Sequence, residues 1–308
     1  MAINPGVFLM LLTALLQSSM QAVVKFVSLE INTSIQLLVY YTIPLVLFIP
    51  LMMKHGLTPY RTKRFPFLLL RGIITTAAVF SFFYTAKHMS LAISAILFNT
   101  TPVFIPLLAS IFLKEHTSLK VYVGIMISLI GVIIVIHPKP GEFLSLATLI
   151  GLSSGFLMAV SQVMLRHLAK LNESVDNIVF YLYLTCVIST FFCITFESVL
   201  NSQSSGVHFL HSDHKDFLYS MLLCLGLLSF FAQRALTKAF KYMPASKLAP
   251  FLYVSVPISS VYGCVVWHQI ISYVVLLGSA FIVAGVCIIT FDLKFLRART
   301  VIEPITIK

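Results

Sequence analysis

A chain of 308 residues that is 59% hydrophobic and only 10% charged is not composed like a soluble domain, in which about a quarter of residues carry charge. Its mean hydropathy of +0.98 places most of it in lipid. The net charge of +11 sits in short loops between apolar runs, where it sets membrane topology. The lipid bilayer is therefore an expected partner, and nucleic acid is not.

The apolar runs are continuous rather than alternating, which excludes a barrel and leaves α-helices. The first run, near Val7–Phe26, has no basic segment before it and no small-residue cleavage pattern after it. It reads as a retained helix, not a leader. Ten spans are expected, at 6–27, 34–53, 66–86, 91–113, 119–137, 144–165, 177–198, 217–238, 246–266 and 272–291. The longest connector, Asn201–Lys215, carries His208, His211 and His214 in a loop, a weak pattern for zinc. With the N-terminus inside, seventeen Lys and Arg fall on the cytoplasmic side, Arg71, Arg166 and Arg234 among them, against four outside. Both termini are expected to be cytoplasmic, in a cell inner membrane.

The chain repeats itself. At an offset of 154 residues Gly72 matches Gly226, Met89 matches Met243, Gly124 matches Gly278 and Gly131 matches Gly285. At an offset of 141, Gln21 matches Gln162 and Lys25 faces Arg166. Five spans per copy is an odd number, so the second copy lies upside down relative to the first. The expected fold class is all-α: a polytopic membrane protein of ten transmembrane helices built as two inverted five-helix repeats. The first repeat is placed at 1–140, the second at 141–292, and a basic cytoplasmic tail at 293–308. In such architectures a substrate site lies near the bilayer midplane, between the copies.

Leu70-Arg71-Gly72 opens the third span. The proline-containing fourth span runs into Phe112-Leu113-Lys114-Glu115, and Gly124 and Gly131 mark the fifth. On these residues the chain resembles the drug/metabolite transporter superfamily, and within it the ten-helix EamA-type members. The likeness covers both halves, and it is closest to the branch that includes S-adenosylmethionine carriers. It implies a five-plus-five helix fold and carriage of a small metabolite, without naming the substrate. Gln269 stands where the second copy would carry the counterpart of Glu115, and Tyr40-Tyr41-Thr42 lacks the Arg that many relatives keep after an aromatic pair.

Gln17, Gln21 and Lys25, spaced i, i+4, i+8, share one face of the first helix. A polar face in lipid turns toward protein or water. The glutamines either line a translocation cavity or bond neighbouring helices. Ser154, Gln162 and Arg166 repeat the pattern in the sixth span, with Arg166 read as a side chain snorkelling to the inner surface. In the fourth span Asn99, Thr100 and Thr101 precede Pro102, which removes a backbone donor and frees a carbonyl near residue 98. Tyr253, Ser255 and Pro257 occupy the twin region. Pro102 and Pro257 are expected to kink their helices, either around a site or for packing alone. Arg234 suits a carboxylate or phosphate, or else a headgroup. Tyr84 suits a flat substrate or the aromatic belt. The expected substrate-binding set is Gln17, Gln21, Tyr84, Asn99, Thr100, Gln162, Arg234 and Tyr253.

None of the ten acidic residues falls in the middle of a span. That disfavours proton coupling through a buried carboxylate and a multiply charged cationic substrate. No cofactor, metal or catalytic motif is expected, and the chain is not read as an enzyme. The leading expectation is a secondary carrier or exchanger of a neutral, zwitterionic or anionic metabolite, amino-acid-like or nucleoside-like, working by alternating access. A multidrug or metabolite exporter of the same fold is an alternative. A lipid or prenyl transferase is another, but the acidic pair such enzymes need is missing. A homodimer is left open.

Overall fold

The computed structural model describes residues 4–27, 33–55, 62–88, 97–115, 117–136, 146–200, 215–267 and 273–296. Hydrocarbon offers no partner to a backbone amide, so each apolar run satisfies its own backbone as a helix. The first half comprises α1 (Pro5–Val27), α2 (Thr33–Val46), α3 (Phe48–His55), α4 (Phe65–His88), α5 (Thr101–Phe112) and α6 (Leu119–Ile136). The second comprises α7 (Leu146–Lys170), α8 (Val175–Leu200), α9 (Lys215–Tyr242), α10 (Ala245–Leu248), a 3-10 turn (Ala249–Val254), α11 (Ser255–Trp267) and α12 (Tyr273–Leu296). Five helices are long and apolar enough to cross a membrane, and four shorter apolar helices accompany them. With α2 and α3 forming one span, and α10, the 3-10 turn and α11 another, the chain has ten spans. No strand occurs among the described residues.

Prolines account for where spans break. Pro50 cannot donate to Val46, and the second span breaks at Leu47. Pro102 is the second residue of α5, where a missing donor costs nothing. The fourth span is thus interrupted at Asn99–Thr100, with α5 starting afresh at Thr101. The ninth span tightens to a 3-10 turn between Pro250 and Pro257, whose missing donors would otherwise serve Ser246 and Tyr253. The expected tail start at 293 falls inside α12, which continues to Leu296. The histidine connector at 201–214, Gln269, and residues 297–308 lie outside the described residues.

Each half packs chiefly on the other half. The α6–α12 contact is the most extensive, followed by α1 on α9 and its equivalent, α7 on α4. Lipid gives helices no hydrophobic reason to associate, so backbones must approach closely through small residues. A β-carbon on Gly131 would lie 2.5 Å from the carbonyl oxygen of Gly278, and one on Gly285 would lie 2.4 Å from that of Gly124. Exchange of the two halves maps each contact onto the other. A β-carbon on Gly72 would lie 2.4 Å from Thr185, and one on its twin Gly226 would lie 2.4 Å from Ile43. The matching glycines that betray the duplication are thus crossing points between the copies.

The inversion is visible at one end of the bundle. There Arg64 at the start of α4 and Glu173 before α8 meet. Glu115 after α5, Arg166 near the end of α7, Phe240 near the end of α9 and Ala245 at the start of α10 also converge. So α4 begins where its repeat counterpart α9 ends, and α5 ends where α10 begins. A core of Ile105, Leu168, Phe240, Leu248 and Phe251 fills the bundle toward this end.

Candidate functional site

Glu115 organises the ion-paired end. Lys114 adopts a left-handed backbone (φ 53), and the Glu115 amide donates back to the Ala109 carbonyl at 3.2 Å. That turn folds the carboxylate inward, where it is 8% exposed. It accepts from Arg166 Nε at 2.9 Å, pairs with Lys170 Nζ at 3.2 Å, and accepts the Ala245 amide at 3.1 Å. Arg166 also donates to the Phe240 carbonyl. Glu115 and Arg166 together tie α5, α7, α9 and α10. Arg166 is therefore not snorkelling: its guanidinium is spent inside the protein on an acid and a carbonyl.

A second acid is delivered the same way. Asn172 is left-handed (φ 58), and Glu173 beyond it accepts from Asn177 at 2.7 Å, Thr62 at 3.1 Å and Arg64 at 3.4 Å. Next to it Arg234 Nη2 lies 2.6 Å from Asp176 Oδ1, with its guanidinium over the Phe230 ring at 5.2 Å. Arg234 thus already has an anionic partner. A cavity of about 480 Å³ opens beside the connector, lined by Ser110, Lys114, Glu115, Thr117 and Tyr122. None of the expected substrate-binding residues lines it.

Farther along the bundle a polar seam joins α1 to α11. Ser18 Oγ donates to the Ser255 carbonyl at 3.0 Å, Ser19 Oγ lies 2.7 Å from the Tyr262 hydroxyl, and Ser259 Oγ donates to Gln21 Oε1 at 2.9 Å. The repeat-equivalent seam joins α7 to α5 and α4. Thr101 Oγ1 donates to the Gly155 carbonyl at 3.1 Å, and Thr75 Oγ1 lies 2.7 Å from Ser161 Oγ.

Other expected residues have varied surroundings. Thr100 Oγ1 donates to the Leu97 carbonyl at 2.6 Å, and Thr101 Oγ1 to that of Phe98 at 2.7 Å. Both carbonyls exposed by the break are therefore taken locally. Gln17 and Asn99 are half-buried. Gln162 is 7% exposed, and its Oε1 has no hydrogen-bond partner. Tyr253, the counterpart of Asn99, is fully buried beside Val132 and Ile282, with its hydroxyl also unpartnered. Tyr84 is exposed and stacks on His88 at 4.2 Å.

Two structural roles are not legible in the sequence. Glu115 stands out there in the Phe112–Glu115 motif and against Gln269, but its ion-pair partners are far away in the chain. Arg71, counted among the loop charges, is 2% exposed inside the bundle. It donates to the carbonyls of Ser161 at 3.3 Å and Ile178 at 3.4 Å, and it has no ion pair among the described residues. Its place seven residues into an apolar helix was the available signal.

The profile of the EamA-like transporter family matches residues 4–137 and again 145–291. A pseudopaline exporter of Pseudomonas aeruginosa is 24% identical over 283 residues, 92% of this chain and 95% of that one. A riboflavin transporter of Vibrio cholerae is 22% identical over 289 residues, 92% of each chain. An S-adenosylmethionine uptake transporter of Rickettsia felis is 23% identical over 262 residues, 82% of this chain and 81% of that one. A solved crystal structure superposes with a TM-score of 0.80, covering 95% of this chain and 100% of its own. At 16% identity it bears on the fold alone.

Proposed function

The chain belongs to the EamA-like transporter family, and from that membership we propose that it carries a small polar metabolite across the cytoplasmic membrane by alternating access, as a secondary carrier or an exchanger. The observation that carries this reading is the closed end: two inverted halves are held together there by Glu115, through Arg166, Lys170 and the Ala245 amide. Ion pairs at one mouth of an inverted-repeat bundle suit a gate that opens when the halves rock. The charge distribution supports placing this mouth, and both termini, in the cytoplasm.

The substrate is neutral, zwitterionic or anionic. The ion-paired carboxylates Glu115, Glu173 and Asp176 sit at the closed end, which leaves the middle of the bundle without a counter-charge for a multiply charged cation. Gln17, Asn99 and Gln162 are the groups best placed to meet such a molecule. The relatives include an exporter and an uptake transporter, so the test covers both directions. The test uses purified protein in liposomes, incubated with a uniformly ¹³C-labelled bacterial metabolite extract and read by mass spectrometry. A carrier accumulates at least one small polar compound above empty liposomes, in one orientation or the other. Accumulation at the empty-liposome level in both orientations contradicts the proposal.

A further inference from the structure

Gln21 and Gln162 occupy the same position in the two repeats, but their carbonyls differ. Gln21 Oε1 accepts from Ser259 at 2.9 Å. Gln162 Oε1 is buried with no partner. The repeat explains the difference. At the offset of 154 residues the counterpart of Ser259 is Ile105, which has no donor to offer. Ile105 is fully buried in one cluster with Ala159 and Val163, three positions before and one after Gln162 on α7.

A buried acceptor without a donor is costly, and the cost disappears when a donor arrives. Gln162 keeps the residue type of its twin without the serine that serves it. We propose that Gln162 is the specificity-determining half of the pair: its side-chain carbonyl accepts a hydrogen bond from an N–H or O–H group of the transported metabolite, while Gln21 is held by Ser259. The inference rests on the carrier reading and names the chemistry of the substrate: a polar molecule with a hydrogen-bond donor, which Gln162 engages on the α5–α7 side of the bundle. A site built to hydrogen-bond a donor discriminates strongly against an analogue that lacks it.

The test takes the compound that wild-type liposomes accumulate from the labelled extract and measures its transport kinetics in variants. Gln162→Met keeps the volume and removes the acceptor; it raises KM about tenfold, with kcat changed less than about threefold, the size expected for one hydrogen bond in a dry site. Ile105→Ser supplies the missing hydroxyl and raises KM by competing for the carbonyl. Gln21→Met raises KM less than about threefold, because its acceptor is already engaged. A methylated analogue of the compound, lacking the donor, starts with a raised KM in the wild type and loses nothing further in Gln162→Met. If Ile105→Ser does not fold, Gln162→Met and the analogue still decide. Wild-type KM in Gln162→Met, or an equal effect of Gln21→Met, overturns the inference while leaving the carrier reading intact. No accumulation by the wild type overturns both.

Discussion

Thr101 of the first half and Ser255 of the second hold the same repeat position, and each meets a helix of the opposite half. Thr101 gives a hydrogen bond to Gly155, whereas Ser255 receives one from Ser18. One turn farther along, Gln21 Oε1 accepts from Ser259, whereas Gln162 Oε1 has no partner among the described residues. At the ends the contrast is sharper. Glu115 grips Arg166, while the corresponding sequence positions carry Gln269 and Lys25, which cannot form an ion pair. The glycine crossings are duplicated faithfully, because backbone contact tolerates no side chain. The polar groups diverge, because a carrier that is chemically identical toward both sides of the membrane gains nothing from its asymmetry of use. The duplicated backbone repeats the crossings, and the unequal side chains give the two halves different polar contacts.

Breaking the ion-paired mouth should have the largest effect. Glu115→Ala leaves Arg166 buried without its acid, and loses on the order of 3–5 kcal/mol of stability. Thermal melting in detergent should show this as a large fall in Tm. Adding Arg166→Ala to Glu115→Ala should cost much less than the sum of the single changes. Additive costs would mean that the pair is not a unit.

The crossings come next. Gly131→Ala and Gly285→Ala each force a β-carbon onto backbone, and each should cost about 1–3 kcal/mol. The two values should agree closely, and a wide gap between them would break the equivalence of the halves. Ser259→Ala, which strips Gln21 of its donor, should cost about 0.5–1.5 kcal/mol by chemical denaturation. The smallest effect has the opposite sign. Lys114 has a left-handed backbone (φ 53), so Lys114→Gly relieves strain and should raise stability by about 0.4–1 kcal/mol. Destabilisation there would show that the lysine side chain, not the turn, positions Glu115.

The spans and the duplication were legible in the sequence, because lipid imposes one secondary structure on apolar runs and close crossings impose glycine. Pro102 and Pro257, expected to kink their helices, stand at a fresh helix start and just beyond a 3-10 turn rather than at bends within continuous helices. The pairing of polar groups was not legible. Glu115 and Arg166 are 51 positions apart, and Gln21 and Ser259 are 238 apart. Nothing local marks such partners. Arg71 and Arg166 were counted with the loop charges because charge near a helix end reads as topology. Only packing reveals that Arg71 is spent on helix carbonyls and Arg166 on an acid. Arg234, expected to meet a carboxylate, a phosphate or a headgroup, is paired with Asp176.

Alternating access requires the Glu115 mouth to open. Spin labels at Leu119, after the connector that holds Glu115, and at Leu171, after Lys170, report its width by pulsed electron resonance. Both residues are exposed, and the native cysteines can be replaced beforehand. In liposomes the wild type should give a distance distribution dominated by one short component, and Glu115→Gln should shift population into a second, longer one. An unchanged single distance in Glu115→Gln, in a protein that still transports, would contradict the assignment of this end as the gate.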